Sequence, residues 1–146
     1  MSRIIGLDVG EKRIGVALSD ELAIAAHPLT VIVRDGLGKD LGKIEEIVQE
    51  YSAAGIVVGL PLNMNGTIGE SAKRVLSFTD SLKKKLPVSV ETWDERLTTV
   101  SSEKVLLEAD LSRQKRKKVI DKVAATLLLQ CYLDNRRGES GERKTE

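Results

Sequence analysis

Three acidic positions, spread over three segments of the 146-residue chain, have the chemistry to bind divalent metal ions. Asp8 lies in the apolar run of residues 3–9, Glu95 follows the apolar segment that ends at residue 93, and Asp121 begins an apolar-periodic stretch. A carboxylate buried without a partner loses several kcal/mol of hydration, so Asp8 requires a compensating group. Mg²⁺ and Mn²⁺ prefer oxygen ligands, and a pair of such ions can activate water against a phosphodiester bond. If the three acids converge, the sequence predicts a metal-dependent nuclease with Mg²⁺ or Mn²⁺ as cofactor.

Each of these acids also has an ordinary structural interpretation. Asp8 could pair with Arg13 across a hairpin, and Asp121 could simply stabilise the start of a helix. The adjacent acids Asp94 and Glu95 point in different directions, so one of them could face a site while the other caps a helix. The residues by themselves leave these alternatives open.

The charges of the chain nearly balance, with a net charge of +1, but the positive charge is clustered. The densest cluster, residues 113–118, directly precedes Asp121 and would bring positive charge to the rim of a carboxylate site. The loop of residues 59–67 could contact phosphate or a base through its asparagines and backbone amides, or it could be a plain turn. The predicted nucleic-acid-binding residues are Lys12, Arg13, Asn63, Arg96, Arg113, Lys115, Arg116, Lys117 and Lys118.

Other catalytic and cofactor chemistries have little support. His27 is the only histidine and Cys131 the only cysteine, and neither lies in a motif for zinc binding or nucleophilic catalysis. No apolar run approaches the roughly 20 residues of a membrane-spanning helix, and no signal segment precedes the first predicted strand. A lone cysteine cannot form an internal disulfide, as is usual in the reducing cytosol. We therefore expect a cytoplasmic protein without a membrane partner.

Hydrophobic periodicity predicts one domain over residues 1–135 and a charged, disordered tail at 136–146. Pro28 argues against continuous pairing through residues 22–33, which places the third strand near residues 29–33. The predicted strands are 3–9, 13–19, 29–33, 55–61 and 88–93, and the predicted helices are 37–51, 72–86, 99–109 and 119–133. This order describes an α/β domain whose mixed sheet is covered by helices on both faces. It resembles the ribonuclease H-like (RNase H-like) fold, with five strands in the order 3-2-1-4-5.

Four motifs in the same order closely resemble the YqgF/RuvX family, from about Arg3 to Leu133. They are GLDVG with KRIGVA at residues 6–17, GLPLN with a following glycine at 59–66, DERLTT at 94–99, and an aspartate at 121 followed by Ala124, Ala125, Leu129 and Gln130. The resemblance implies an RNase H-like nuclease of the bacterial cytoplasm that matures the 5′ end of 16S rRNA. It also implies that Asp8, Glu95 and Asp121 are the catalytic, metal-binding acids. Asp94 is a possible substitute for Glu95, because the fifth strand does not neighbour the first.

Three other functions compete with maturation of ribosomal RNA. A Holliday-junction resolvase would act on branched DNA as a homodimer, whereas the RNA nuclease could be a monomer or a homodimer. A non-catalytic RNA-binding assembly factor would keep the fold and the basic rim. An ATP-binding protein of the actin and sugar-kinase type would need two lobes, for which the chain is too short.

Overall fold

The computed structural model describes residues 3–98 and 121–136, and these residues form a five-stranded sheet in the order β3-β2-β1-β4-β5. The strands are β1 (Ile4–Val9), β2 (Arg13–Ser19), β3 (Ala26–Val33), β4 (Gly55–Leu60) and β5 (Ser89–Asp94). The helices are α1 (Leu37–Tyr51), α2 (Glu70–Lys85) and α3, which is described over residues 121–136. β1, β2 and β3 pair antiparallel, whereas β4 pairs parallel with both β1 and β5. The predicted RNase H-like fold and its strand order are confirmed.

The centre of the sheet is buried on both faces. Leu7 of β1 packs with Ile44 of α1 and Leu82 of α2 on one face. Val57 of β4 packs with Leu129 of α3 on the other face. Because helices cover both sides, β4 is a continuous apolar run and lacks the alternation of a half-exposed strand.

β3 departs from the prediction, because it begins at Ala26 and includes Pro28. The expectation that Pro28 places the strand near residues 29–33 was wrong about where the strand begins, for two physical reasons. β3 is an edge strand, so the missing N–H of proline costs no hydrogen bond to a further strand. The register also shifts between Val16 and Ala17, which pair with Thr30 and Pro28, and this irregularity accommodates the proline.

The helix boundaries otherwise follow the sequence. α1 covers the predicted residues 37–51, and α2 ends at Lys85, two residues before Pro87. The helical part of the chain continues through Arg136, the first residue of the predicted tail. The predicted helix at 99–109 and the tail beyond residue 136 lie outside the described residues. No helix within the described ranges is both long and apolar enough to cross a membrane.

Candidate active site

Asp8 lies on the central strand β1, between glycines of the two neighbouring strands. Gly15 of β2 is its register partner. Gly59 of β4 follows Val58, which pairs with Leu7. Alternate residues of a strand share a face, so Asp8 and both glycines lie on the side of the sheet that α3 covers. The two glycines leave space beside Asp8 for side chains that arrive from other segments.

Glu95 uses the space above Gly59. It begins a short 3-10 turn, Glu95–Leu97, that follows β5. A Cβ built on Gly59 would lie 2.5 Å from the Glu95 Oε1 atom, so the side chain passes directly over β4. The Glu95 carboxyl group reaches Asp8 and forms a hydrogen bond with it. Glu95 therefore lies beside Asp8 although β5 and β1 are not neighbours.

The contact between two acids changes the protonation of Glu95. Burial, followed by the negative charge of Asp8 and the hydrogen bond to it, raises the pKa of Glu95 to about 7. Two carboxylates in contact repel one another, and a shared proton relieves that repulsion near neutral pH.

Asp94 has a different set of contacts from its neighbour Glu95. Its Oδ1 accepts a hydrogen bond from the Arg96 backbone N–H at 3.0 Å, and its Oδ2 accepts one from Arg96 Nη2 at 2.7 Å. The side-chain hydrogen bond from Arg96 lowers the pKa of Asp94. One acid of the pair thus caps the turn while the other lies against Asp8, the division of roles that the sequence left open.

Asp121 approaches from the opposite side of Asp8. A Cβ at Gly15 would collide with the Asp121 carbonyl oxygen, so the first described turn of α3 rests directly on β2. The Asp121 Oδ2 atom accepts a hydrogen bond from Arg13 Nε at 2.6 Å, and both side chains are about three-quarters buried. Sequence reasoning considered Arg13 as a partner of Asp8 and missed this contact, which joins residues 108 positions apart.

The third acid is therefore near the pair, with its charge balanced by Arg13. Within residues 3–98 and 121–136, no three acidic, histidine or cysteine side chains lie close enough together to bind one metal ion. The Asp8 and Glu95 carboxyl groups alone still suit a hard divalent cation, since a cation can replace the proton between them.

The loop after β4 is closed by its own hydrogen bonds. Asn63 Nδ2 donates to Thr67 Oγ1 at 2.9 Å, and the Gly66 N–H donates to the Asn63 carbonyl at 2.8 Å. Arg96 Nη1 donates to the Met64 carbonyl at 3.2 Å, which fastens this loop to the turn that carries Glu95. The contacts of Asn63 and Arg96 in this structure are thus those of a closed turn.

The other predicted nucleic-acid-binding residues have different positions. Lys12 is exposed in the hairpin between β1 and β2, close in sequence to Asp8. The cluster Arg113, Lys115, Arg116, Lys117 and Lys118 lies outside the described residues.

The family model for RuvX, described as Holliday junction resolvase, matches residues 2–135. The chain belongs to the RuvX family. A relative from Desulforamulus reducens is 55% identical over 133 residues, which cover 91% of this chain and 97% of the relative. A relative from Clostridium beijerinckii is 54% identical over 132 residues, covering 90% of this chain and 96% of that one. Both carry the name "Putative pre-16S rRNA nuclease". The predicted family is confirmed.

Solved structures of resolvases share the fold of this RuvX-family chain. T. thermophilus RuvC in complex with Holliday junction substrate has a TM-score of 0.60 at 13% identity and covers 94% of this chain and 97% of its own. The fowlpox virus resolvase with its Holliday junction DNA has a TM-score of 0.53 at 12% identity, covering 91% and 97%. At such low identity these likenesses establish the RNase H-like fold alone.

Proposed function

We propose that this protein is a metal-dependent nuclease that hydrolyses phosphodiester bonds in the 5′ leader of 16S ribosomal RNA precursors. The observation that carries the proposal is the contact between the Asp8 and Glu95 carboxyl groups, with Asp121 on the other side of Asp8. A folded protein gains nothing in stability from holding two acids together, so such a pair is typical of a functional site. The names and nearly complete coverage of the bacterial relatives support the RNA substrate.

In this proposal, Asp8 and Glu95 hold Mg²⁺ or Mn²⁺, and Asp121 supports the same site. When bound, the ions lower the pKa of the attacking water and stabilise the leaving oxygen. Asp8 lies on a strand buried between helices, so its carboxylate is held rigidly. The turn of residues 95–97, capped by Asp94 and fastened by Arg96, fixes the approach of Glu95.

Positive groups beside the acids would bind the substrate's phosphates. Arg13 lies at the site with its guanidinium against Asp121, and Lys12 is exposed on the adjacent hairpin. We assign nucleic-acid contacts to both, and to the basic cluster of residues 113–118. Ribosome assembly takes place in the cytoplasm, so the proposal implies a cytoplasmic protein.

A junction resolvase is the second candidate, because the family description and the solved neighbours refer to Holliday junctions. A four-way junction is approximately two-fold symmetric, so its resolution requires a dimer with two sites. Cleavage of RNA at one position needs only a monomer. The two functions are therefore separable by substrate and by oligomeric state.

The test presents both substrates to the purified protein. One is a 16S precursor with its 5′ leader and the other is a four-way DNA junction, each with Mg²⁺, Mn²⁺ or EDTA. We expect metal-dependent cutting of the precursor, its loss in Asp8→Asn, and its retention in Asp80→Asn, which alters an exposed aspartate of α2. Cutting of the junction alone would favour the resolvase. Binding of both without cutting of either would favour a non-catalytic assembly factor.

A further inference from the structure

A second potential binding site lies near the acid pair, on the opposite face of the sheet. It is a cavity of about 310 Å³ lined by Val9 and Gly10 at the end of β1, together with Arg34 and Arg74. Val9 follows Asp8, and successive residues of a strand point to opposite faces. The cavity and the acids therefore flank the same end of β1. Its volume is at the lower end of the range for small-molecule sites, about 300–1,000 Å³, and is large enough for a phosphate group.

Arg34 forms a fixed wall of this cavity. Its Nε donates to the buried Asp40 carboxylate at 3.0 Å, and its Nη1 donates to the Gly10 carbonyl at 3.1 Å. The guanidinium lies 5.2 Å from the centre of the Phe78 ring. These contacts fix the direction of the Arg34 donors and balance most of its charge through Asp40.

Arg74 supplies a positive charge whose ion-pair partners a ligand can replace. Its Nη2 lies 3.0 Å from the Glu11 Oε1, and its Nη1 lies 4.0 Å from the Glu70 Oε2. The side chains of Glu11 and Glu70 are 73% and 91% exposed, and exposed ion pairs contribute little to stability. A phosphate carries more negative charge and more acceptor oxygens than a carboxylate, so it can displace Glu11 from Arg74.

The start of α2 adds further donors to the same cavity. Ser71 lines it, and its Oγ accepts a hydrogen bond from Arg74 Nη2 at 3.3 Å, which leaves the hydroxyl proton for a ligand. The N-cap residue of α2, Gly69, provides no side-chain hydrogen bond to the first turn. The positive end of a helix dipole favours an anion there, which supports the charge of Arg74.

We propose that this cavity binds a backbone phosphate of the nucleic acid whose neighbouring phosphodiester lies at Asp8 and Glu95. The inference rests on the proposed nuclease function, because it assigns the second phosphate to the same substrate. A strand that crosses the end of the sheet, from the α3 face to the α1 and α2 face, contacts both sites. Arg74, Arg34 and Ser71 contact the phosphate, and Glu11 competes with it for Arg74.

The experiment measures binding of a fluorescent single-stranded RNA from the 16S leader in EDTA, over a range of KCl concentrations. In Arg74→Gln, we expect the affinity to fall about five- to eightfold at 0.1 M salt and the log–log salt slope to decrease by about 0.7–0.9. Glu11→Gln removes the competing carboxylate and should tighten binding. Lys84→Gln is the matched control, since it removes one positive charge from the exposed far end of the same helix.

Several outcomes would overturn the inference. Equal effects of Arg74→Gln and Lys84→Gln would show that Arg74 contributes only non-specific electrostatic attraction. Weaker RNA binding by Glu11→Gln would show that Glu11 does not compete with the phosphate for Arg74. Calorimetry with inorganic phosphate and with ATP distinguishes a free ligand from a backbone phosphate. Tight binding of either that requires Arg74, with RNA binding unchanged, would assign the cavity to a free phosphate compound.

Loss of the proposed function is distinguishable from loss of this inference, because binding is measured without metal or cleavage. If the protein cuts the precursor but Arg74→Gln has no specific effect on binding, the nuclease proposal stands and the phosphate site does not. If the Arg74→Gln and Glu11→Gln effects appear but the protein does not cut, the phosphate site stands and the nuclease proposal does not. Thermal melts of each variant exclude misfolding as the cause.

Discussion

Two pairs of ionisable side chains flank the end of the sheet, one pair on each face. One pair consists of two acids, and the other consists of an acid and a base. On the α3 face, the carboxyl groups of Asp8 and Glu95 lie in contact, and burial with this contact raises the pKa of Glu95 to about 7. On the other face, the buried carboxylate of Asp40 accepts a hydrogen bond from Arg34 at 3.0 Å. The first pair brings like charges together, whereas the second brings opposite charges together.

The difference shows how to separate structural charges from functional ones. In the Arg34–Asp40 pair, each charge neutralises the other. The pair also connects the hairpin to α1, because Arg34 donates a hydrogen bond to the Gly10 carbonyl. The Asp8–Glu95 pair is held together by the surrounding fold, through the turn after β5 and the space over Gly59. Its repulsion is relieved only by a proton or a cation. The opposite-charge pair should therefore control stability, and the like-charge pair should control activity.

The largest expected effect is on activity, in Asp8→Asn. If Asp8 holds the ions as proposed, losing its carboxylate removes several kcal/mol of transition-state stabilisation, so cleavage should fall by about 1,000-fold or more. The free energy of unfolding should stay the same or rise, because the repulsion with Glu95 is removed. Single-turnover cleavage measures the loss of activity, and urea unfolding of the same preparation measures the free energy of unfolding. A variant that loses activity only because it unfolds would show that Asp8 is needed for stability and not for the reaction.

The largest expected effect on stability is in Asp40→Asn. The substitution leaves the Arg34 charge without its partner, which should lower the free energy of unfolding by about 2–3 kcal/mol. Asp35→Asn is the matched control, because the Asp35 side chain forms an exposed ion pair with Lys39 at 3.1 Å. The substitution also keeps the backbone N–H that Asp35 donates to Asp40 Oδ1 at 2.9 Å. Its cost should be at most about 1 kcal/mol. Equal costs in urea denaturation would show that the Arg34–Asp40 pair has no special role.

A smaller effect is expected when the space beside Asp8 is filled. In Gly59→Ala, the new methyl group would meet Glu95 Oε1 at 2.5 Å and Leu128 Cδ2 at 3.1 Å. Displacement of the Glu95 carboxyl by about 1 Å should reduce cleavage by about 10- to 100-fold while the protein remains folded. The checks are cleavage rate and circular dichroism. Unchanged cleavage would mean that the path of Glu95 over β4 is unimportant for the reaction.

The smallest effect concerns pH and stability without metal. Because the pKa of Glu95 is raised from 4.5 to about 7, the folded state holds a proton that the unfolded state has released in this window. Stability should therefore fall as the pH rises from about 4.5 to about 7, and Glu95→Gln should flatten this dependence. Thermal melts in EDTA across this range measure it. A melting temperature that rises with pH in the wild type and falls in the variant would oppose the assignment.

The sequence predicted the strand order correctly, because the order follows from local hydrophobic patterns. Short motifs singled out Asp8, Glu95 and Asp121, and their role as metal ligands stays a prediction. It could not predict that Glu95 reaches Asp8, since that contact requires the turn after β5 to pass over a glycine on the intervening strand. The pairing of Arg13 with Asp121 joins distant segments and has no local signal. Asp40 was missed for another reason, because helical periodicity identifies apolar positions and does not reveal a buried carboxylate.

Binding of Mn²⁺ shows most directly whether Asp8 and Glu95 form the metal site. Calorimetric titration should give binding in the wild type that weakens by at least about tenfold in Glu95→Gln. Asp94→Asn should change the affinity far less, because Asp94 caps the turn through Arg96. Loss of Mn²⁺ binding in Asp94→Asn but not in Glu95→Gln would show that Asp94, and not Glu95, is the metal ligand.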